Sequence, residues 1–170
     1  VYMHYCSNDQ YSGTNTTGVP MHYPGDTGPV VPIKFTGKYN VRATLDILRE
    51  RYGLDDSSLN LSVFAIGHSA GGWGLTNNAY LLKQYLPQTA NQGNLMLATH
   101  SGFVPFGWNN PLYPVFGMPG LDMNGAFSLL STTWKSEIMP GCAAKYPTTP
   151  YKCMSGVEMY PLITGSAASG

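Results

Sequence analysis

The chain has 170 residues with nine basic and nine acidic side chains, so its formal net charge is zero, and only 11% of it is charged. An ordinary soluble domain carries roughly 25% charged residues. Balanced, sparse charge provides no field to gather a polyanion, which argues against nucleic acid and anionic membrane surfaces as partners. Hydrophobic residues make up 43%, enough for one sizeable core, and the length suits one domain. No stretch approaches the run of about 18 apolar residues that a membrane span requires. The first residue is Val1 rather than methionine, with no charged leader, so the chain is expected to be a mature or excised piece.

Val1–Cys6 is rich in β-formers and runs into the polar Ser7-Asn8-Asp9-Gln10, which predicts a strand followed by a loop. Residues 11–32 hold Pro20, Pro24, Pro29 and Pro32 among glycines and threonines and are expected to be irregular. From Lys38 the period changes. Val41, Leu45, Leu48 and Tyr52 lie on one face of an amphipathic helix, and Gly53 stands where such a helix ends. Asp55–Ser58 reads as a turn, and Leu61–Ile66 as a short strand buried on both faces. A second helix is predicted from about Ala70, with Leu75, Ala79, Leu82 and Leu86 on one side and Pro87 stopping it. Asn94–Thr99 is a further strand. This alternation predicts an α/β fold with a parallel sheet and crossover helices. Beyond Ser101 the pattern fails, and Phe103–Phe127 reads as an irregular insertion or cap.

The three cysteines are Cys6, Cys142 and Cys153. Cys142 and Cys153 lie close enough in sequence to bridge the loop between them, which leaves Cys6 odd. Two N-glycosylation sequons, Asn15-Thr16-Thr17 and Asn60-Leu61-Ser62, together with scarce charge, predict an extracellular, secreted protein. No cysteine or histidine spacing suggests zinc, so neither metal nor cofactor is expected.

Between the predicted strand and second helix stands Gly67-His68-Ser69-Ala70-Gly71, a G-x-S-x-G. On a sharp strand-to-helix turn this pattern lifts a serine hydroxyl clear of a sheet. The helix start presents unpaired N–H groups, and that of Ala70 is placed to hold a tetrahedral oxyanion. The plainer alternative is a glycine-rich turn in which Ser69 caps the helix.

Several longer segments point further. Tyr5-Cys6-Ser7-Asn8-Asp9 followed by Tyr11-Ser12-Gly13 resembles the YCSSD-x-[WY]-SG segment of the pectin acetylesterase/Notum family. Phe35-Thr36-Gly37 and Ile66–Gly74 are similar to its F-x-G and G-x-SAGG-x-G, and Cys142 with Tyr151-Lys152-Cys153 and Tyr160-Pro161 to a later stretch. The resemblance implies a secreted carboxylesterase of α/β-hydrolase fold. Its members remove acetyl groups from pectin, or palmitoleate from a lipidated signalling protein in animals. Carried over, Ser69 is the nucleophile and Ala70 the oxyanion donor. Cys6 matches a cysteine whose partner lies in a glycine-rich segment upstream of these residues.

A hydrolase of this kind orders its triad as serine, acid, histidine. The histidines are His4, His22, His68 and His100; the acids after Ser69 are Asp122, Glu137 and Glu158, and no histidine follows them. The 170 residues are therefore expected to be the central part of a single α/β-hydrolase domain, truncated at both ends. His100-Ser101-Gly102 stands where the family has an acidic DSG or DAG. His100 is read as a loop residue and His68 as packing sideways from the elbow. Phe103, Phe106, Trp108, Tyr113 and Phe116 would line an acyl pocket, stack on sugars, or simply form the cap. Two functions follow. One is a serine carboxylesterase removing acyl, chiefly acetyl, groups from a polysaccharide or glycoprotein. The other is a catalytically silent extracellular module, with low charge favouring homo-assembly.

Overall fold

The computed structural model describes residues 1–22, 27–102, 123–155 and 159. The insertion or cap expected at Phe103–Phe127 lies outside them except for its last five residues, which open a helix.

Two strands appear where irregular chain was expected. β1 (Asn15–Met21) and β2 (Val31–Phe35) form an antiparallel ribbon, pairing Asn15 with Phe35 and Val19 with Ile33 around a bulge. Gly18, at φ 89°, occupies that bulge. Pro20 and Pro32 face each other near the open end. A two-stranded ribbon has only edges, so prolines there remove no ladder bond from a central strand. Conversely, Val1–Cys6 forms no strand, since no described strand runs beside it to pair with its backbone.

α1 (Gly37–Tyr52) follows, burying Val41 and Leu45. Leu48 is half-buried, while Tyr52, placed by periodicity on the same face, is 73% exposed beyond the core's edge. Gly53 adopts the left-handed conformation at φ 66°, and the Leu54 N–H bonds to Leu48 O at 3.1 Å, closing the helix.

β3 (Val63–His68), α2 (Ala70–Tyr85), a short α3 (Pro87–Asn91) and β4 (Leu95–His100) make a β-α-β unit. Its strands are parallel and in register from Val63–Leu95 to His68–His100. Pro87 ends α2 and also opens α3, whose first N–H groups bond to the Asp55 carboxylate. Val63, Ala65, Leu95 and Leu97 pack on the cluster that holds Leu81 and Leu82 of α2 and Leu86 just past its end. The opposite sheet face is open: Phe64 is 62% exposed, Ile66 70% and Met96 49%. The expectation of strands buried on both faces is thus corrected, because only one layer of helix covers this sheet among the described residues. The described strands make one parallel and one antiparallel pair rather than a mainly parallel sheet.

α4 (Met123–Trp134) packs against the β ribbon and the start of α2 through Phe35, Phe127, Trp134 and Met154, with the Trp73 ring edge-on to Phe127. α5 (Pro140–Lys145) is joined to the 3-10 turn at Pro150–Met154 by a Cys142–Cys153 disulfide, buried beside Met159. Cys6 is free and exposed. No described helix is long and apolar enough to cross a membrane.

One polar cluster ties these parts together. Glu137 Oε1 accepts hydrogen bonds from Arg42 Nη2 at 2.6 Å and Tyr80 Oη at 2.7 Å, joining α1, α2 and the segment after α4. Lys38 Nζ, fully buried and without a hydrogen-bond partner, lies 4.0 Å from Glu137 and 4.5 Å from the Tyr80 ring centre. Burial alone would raise the Glu137 carboxyl; the Tyr80 bond and the Lys38 and Arg42 charges outweigh it and hold it below the usual range. Burial pulls Lys38 from 10.5 down to about 8, against the attraction of Glu137. Between those two values the unfolded chain holds a proton that the folded chain has lost, so raising pH through that window favours folding. Below about pH 8 the cost of the buried charge is fully present. Lys38→Met removes that charge and leaves Glu137 its two hydrogen bonds. Urea unfolding should find the variant at least as stable as the parent at pH 7, with its advantage shrinking toward pH 10. A pH-independent difference would contradict this assignment.

Candidate active site

The G-x-S-x-G segment sits at the junction of β3 and α2. Ser69, the residue between them, has φ 53° and ψ −120°, a conformation that side-chain-bearing residues rarely adopt. Two backbone bonds hold it there. The Ser69 N–H bonds to His100 O at 2.8 Å, continuing the parallel ladder past the end of β3, and Ser69 O accepts the Trp73 N–H at 3.1 Å as the first helical bond. The side chain is exposed and makes no capping bond to its own helix. The helix-cap alternative therefore does not describe this serine. Ala70 and Gly71 begin α2, where amides have no carbonyl one turn back to bond.

The glycines explain how the turn closes. A Cβ on Gly67 would collide with the Gly71 carbonyl and stand 2.8 Å from the Gly72 nitrogen, so β3 and the first turn of α2 meet backbone to backbone. A Cβ on Gly72 would lie 2.9 Å from the Gly102 Cα, and one on Gly102 2.6 Å from the Gly72 carbonyl carbon. Gly71, although part of the motif, has nothing within 4 Å of its virtual Cβ.

A second loop seats this helix. Asp9 is fully buried: Oδ1 accepts from Ser7 Oγ at 2.6 Å and the Tyr11 N–H at 3.0 Å, and Oδ2 from the Gly37 N–H at 2.7 Å. A carboxylate from a distant segment thus caps the positive end of α1. Tyr11 covers Gly74 of α2, and Asn78 Nδ2 donates to Tyr11 O at 3.0 Å. Ser12 Oγ meets Ser136 Oγ at 2.9 Å, and Ser12 O accepts the Glu137 N–H, also at 2.9 Å. The Ser7–Gly13 segment, Gly37 and the first half of α2 therefore form one scaffold behind the elbow. In the sequence Asp9 stands out only as part of a pattern, an acid between the amides Asn8 and Gln10 ahead of Tyr11-Ser12-Gly13.

The remaining residues of interest are dispersed. Glu137, a candidate triad acid, is engaged by Arg42 and Tyr80. Asp122, Glu158 and the aromatics from Phe103 to Phe116 lie outside the described residues. His100 ends β4 rather than standing in a loop, because the in-register ladder carries it into the strand opposite His68. The Asn15 side chain is buried, donating to Thr133 O at 2.8 Å and accepting from the Gly18 N–H, whereas Asn60 is exposed. Among the described residues no three His, Cys, Asp or Glu side chains gather to hold a metal.

No family model matches the chain. It is 25% identical over 167 residues to the palmitoleoyl-protein carboxylesterase Notum of Drosophila melanogaster, covering 96% of this chain and 22% of that protein. A solved structure of the Drosophila Wnt deacylase Notum superposes with a TM-score of 0.67 at 24% identity, covering 92% of this chain and 40% of the solved one. The chain is similar to Drosophila Notum in sequence and in fold. A second crystal form of Drosophila Notum gives a TM-score of 0.62 with 41% of that chain covered. The fold shared with Notum is α/β-hydrolase-like, and this chain spans well under half of either solved Notum structure.

The glycine contacts give a sharp test. Gly67→Ala should destabilise the protein by at least about 2 kcal/mol, the scale of forced overpacking. Gly71→Ala should be neutral or stabilising by up to about 1 kcal/mol, as for a glycine replaced within a helix. Thermal unfolding of the two variants checks this; equal losses would contradict the geometry of the turn.

Proposed function

We propose that these residues are the central part of a single α/β-hydrolase domain of a secreted serine carboxylesterase, one that removes an acyl group from a glycan or glycoprotein. The observation that carries the reading is Ser69: exposed, held at positive φ between a strand and a helix, with its hydroxyl not spent on capping. That is the disposition a nucleophile elbow requires. Kinship with Notum, a palmitoleoyl-protein carboxylesterase in Drosophila, supports ester chemistry over other uses of such a turn. The open apolar face of β3 and β4 supports a larger domain, in which further strands and helices cover Phe64, Ile66 and Met96 while the strand ends beside Ser69 stay open to substrate.

In this mechanism Ser69 Oγ attacks the ester carbonyl and passes its proton to a histidine base supplied from outside these residues. The Ala70 N–H, at the start of α2, donates to the developing oxyanion. Collapse expels the alcohol, which takes the proton from the base, and water then releases the acyl group from Ser69 by the reverse sequence. No cofactor is needed for these steps. Of the two sequons, Asn60 is favoured as the glycan acceptor, because the Asn15 amide is buried and already bonded. Cys6, exposed and free, would pair with a cysteine elsewhere in the full domain.

The test is active-site labelling of the full-length protein. A fluorophosphonate probe should modify Ser69 stoichiometrically, and Ser69→Ala should abolish labelling and lower ester hydrolysis by at least about 10³-fold. Hydrolysis that survives Ser69→Ala would overturn the proposal. Comparing acetyl with long-chain acyl esters in the same assay assigns the acyl group.

A further inference from the structure

His68 and His100 are 32 positions apart in sequence, yet the parallel register makes them direct partners at the last rung of the β3–β4 ladder. Both lie on the sheet face turned away from α2, following Phe64 and Ile66 on one strand and Met96 and Ala98 on the other. Their Nδ1 atoms are 2.6 Å apart. The ring centroids are 4.8 Å apart, with planes 19° from parallel. That centroid separation is about the N···N distance extended by one ring radius at each end. The imidazoles therefore meet edge to edge with their Nδ1 atoms facing, rather than stacking face over face. In the metal-free pair one Nδ1–H donates to the other Nδ1.

Two converging imidazole nitrogens on paired strands, both exposed, are the beginning of a coordination sphere. We propose that His68 and His100 form a binding site for a borderline divalent transition ion, Zn²⁺ or Cu²⁺, with water completing the shell. Imidazole nitrogen is a preferred donor for these ions and a poor one for Mg²⁺ or Ca²⁺. Zinc–nitrogen bonds of about 2.0–2.1 Å in a tetrahedral arrangement place two donors roughly 3.3 Å apart. The pair must open by under about 1 Å from its hydrogen-bonded spacing, a small rotation for two exposed rings, and lose the shared proton as the ion enters. The strands fix the approach: Ser69 N–H to His100 O, at 2.8 Å, extends the ladder one step past the two histidines. A site carried on strands is held more closely than one carried on loops. Sequence spacing does not reveal it, because the ligands come from strand register and not from a local motif. Among the described residues no third His, Cys, Asp or Glu completes the set.

The site stands on strand register and is independent of the acyl-transfer reading. Equilibrium dialysis of the full-length protein against Zn²⁺, with Mg²⁺ as the hard-ion control, tests it. One Zn²⁺ per chain should bind saturably, without uptake of Mg²⁺. His68→Ala and His100→Ala should each weaken binding by on the order of tenfold or more, and His68→Gln, which keeps a polar side chain, should do the same. His22→Ala should leave binding unchanged. In imidazole-nitrogen NMR, Zn²⁺ should shift His68 and His100 together. Unchanged affinity in both His68 and His100 variants, an equal loss in His22→Ala, or no saturable uptake would overturn the proposal.

Discussion

The structure around Ser69 depends on how closely backbone can approach backbone at one end of the β3–β4 pair. Gly67 lets the first turn of α2 fold back on β3, and Gly72 and Gly102 let that turn lie against the chain leaving β4. Any side chain at these three positions would meet main-chain atoms, which cannot rotate out of the way. Ser69 is forced to positive φ as a consequence, since a strand and a helix that close cannot be joined otherwise. The strain is local, and it is opposed by the ladder bond to His100 O and by the helical bond to Trp73 N–H.

The outer parts of the molecule act on this turn through α1 and α2. Asp9 anchors the Tyr5–Gly13 segment to the start of α1, and Tyr11 transfers that anchor to α2 by filling the space over Gly74. Glu137 gathers Arg42 of α1 and Tyr80 of α2 onto the segment after α4, and Trp73 brings Phe127 onto the helix's first turn. The buried Lys38 amine is the costly member of this arrangement. Its charge is desolvated, and its only described partners are a carboxylate at 4.0 Å and an aromatic face.

Much of this was legible in the sequence where local signals agree with tertiary context. The period of Val41 and Leu45, the stop at Gly53 and the β-turn-α setting of Ser69 all depend on neighbours within a few residues. The β1–β2 ribbon was missed because its prolines mark edge strands as readily as loops, and only the partner strand decides between them. Val1–Cys6 has strand-forming residues but no described strand beside it. The apolar run of β3 suggested burial on both faces, whereas Phe64 and Ile66 are open here. The proximity of His68 to His100 was illegible for the same reason: register is a long-range property. Asp9 and Glu137 work through partners 28 and 95 positions away, respectively, in Gly37 and Arg42, which no local pattern encodes.

In the proposed reaction the strained serine between β3 and α2 forms a covalent bond to the acyl group it removes. Acid-quenching the full-length protein during turnover of an activated ester, then locating the acyl adduct by peptide mass spectrometry, tests this most directly. A single adduct on Ser69 is expected, its mass shift equal to the acyl group, that disappears when substrate is exhausted. Sustained ester turnover with no adduct, or with the adduct on another residue, would contradict it.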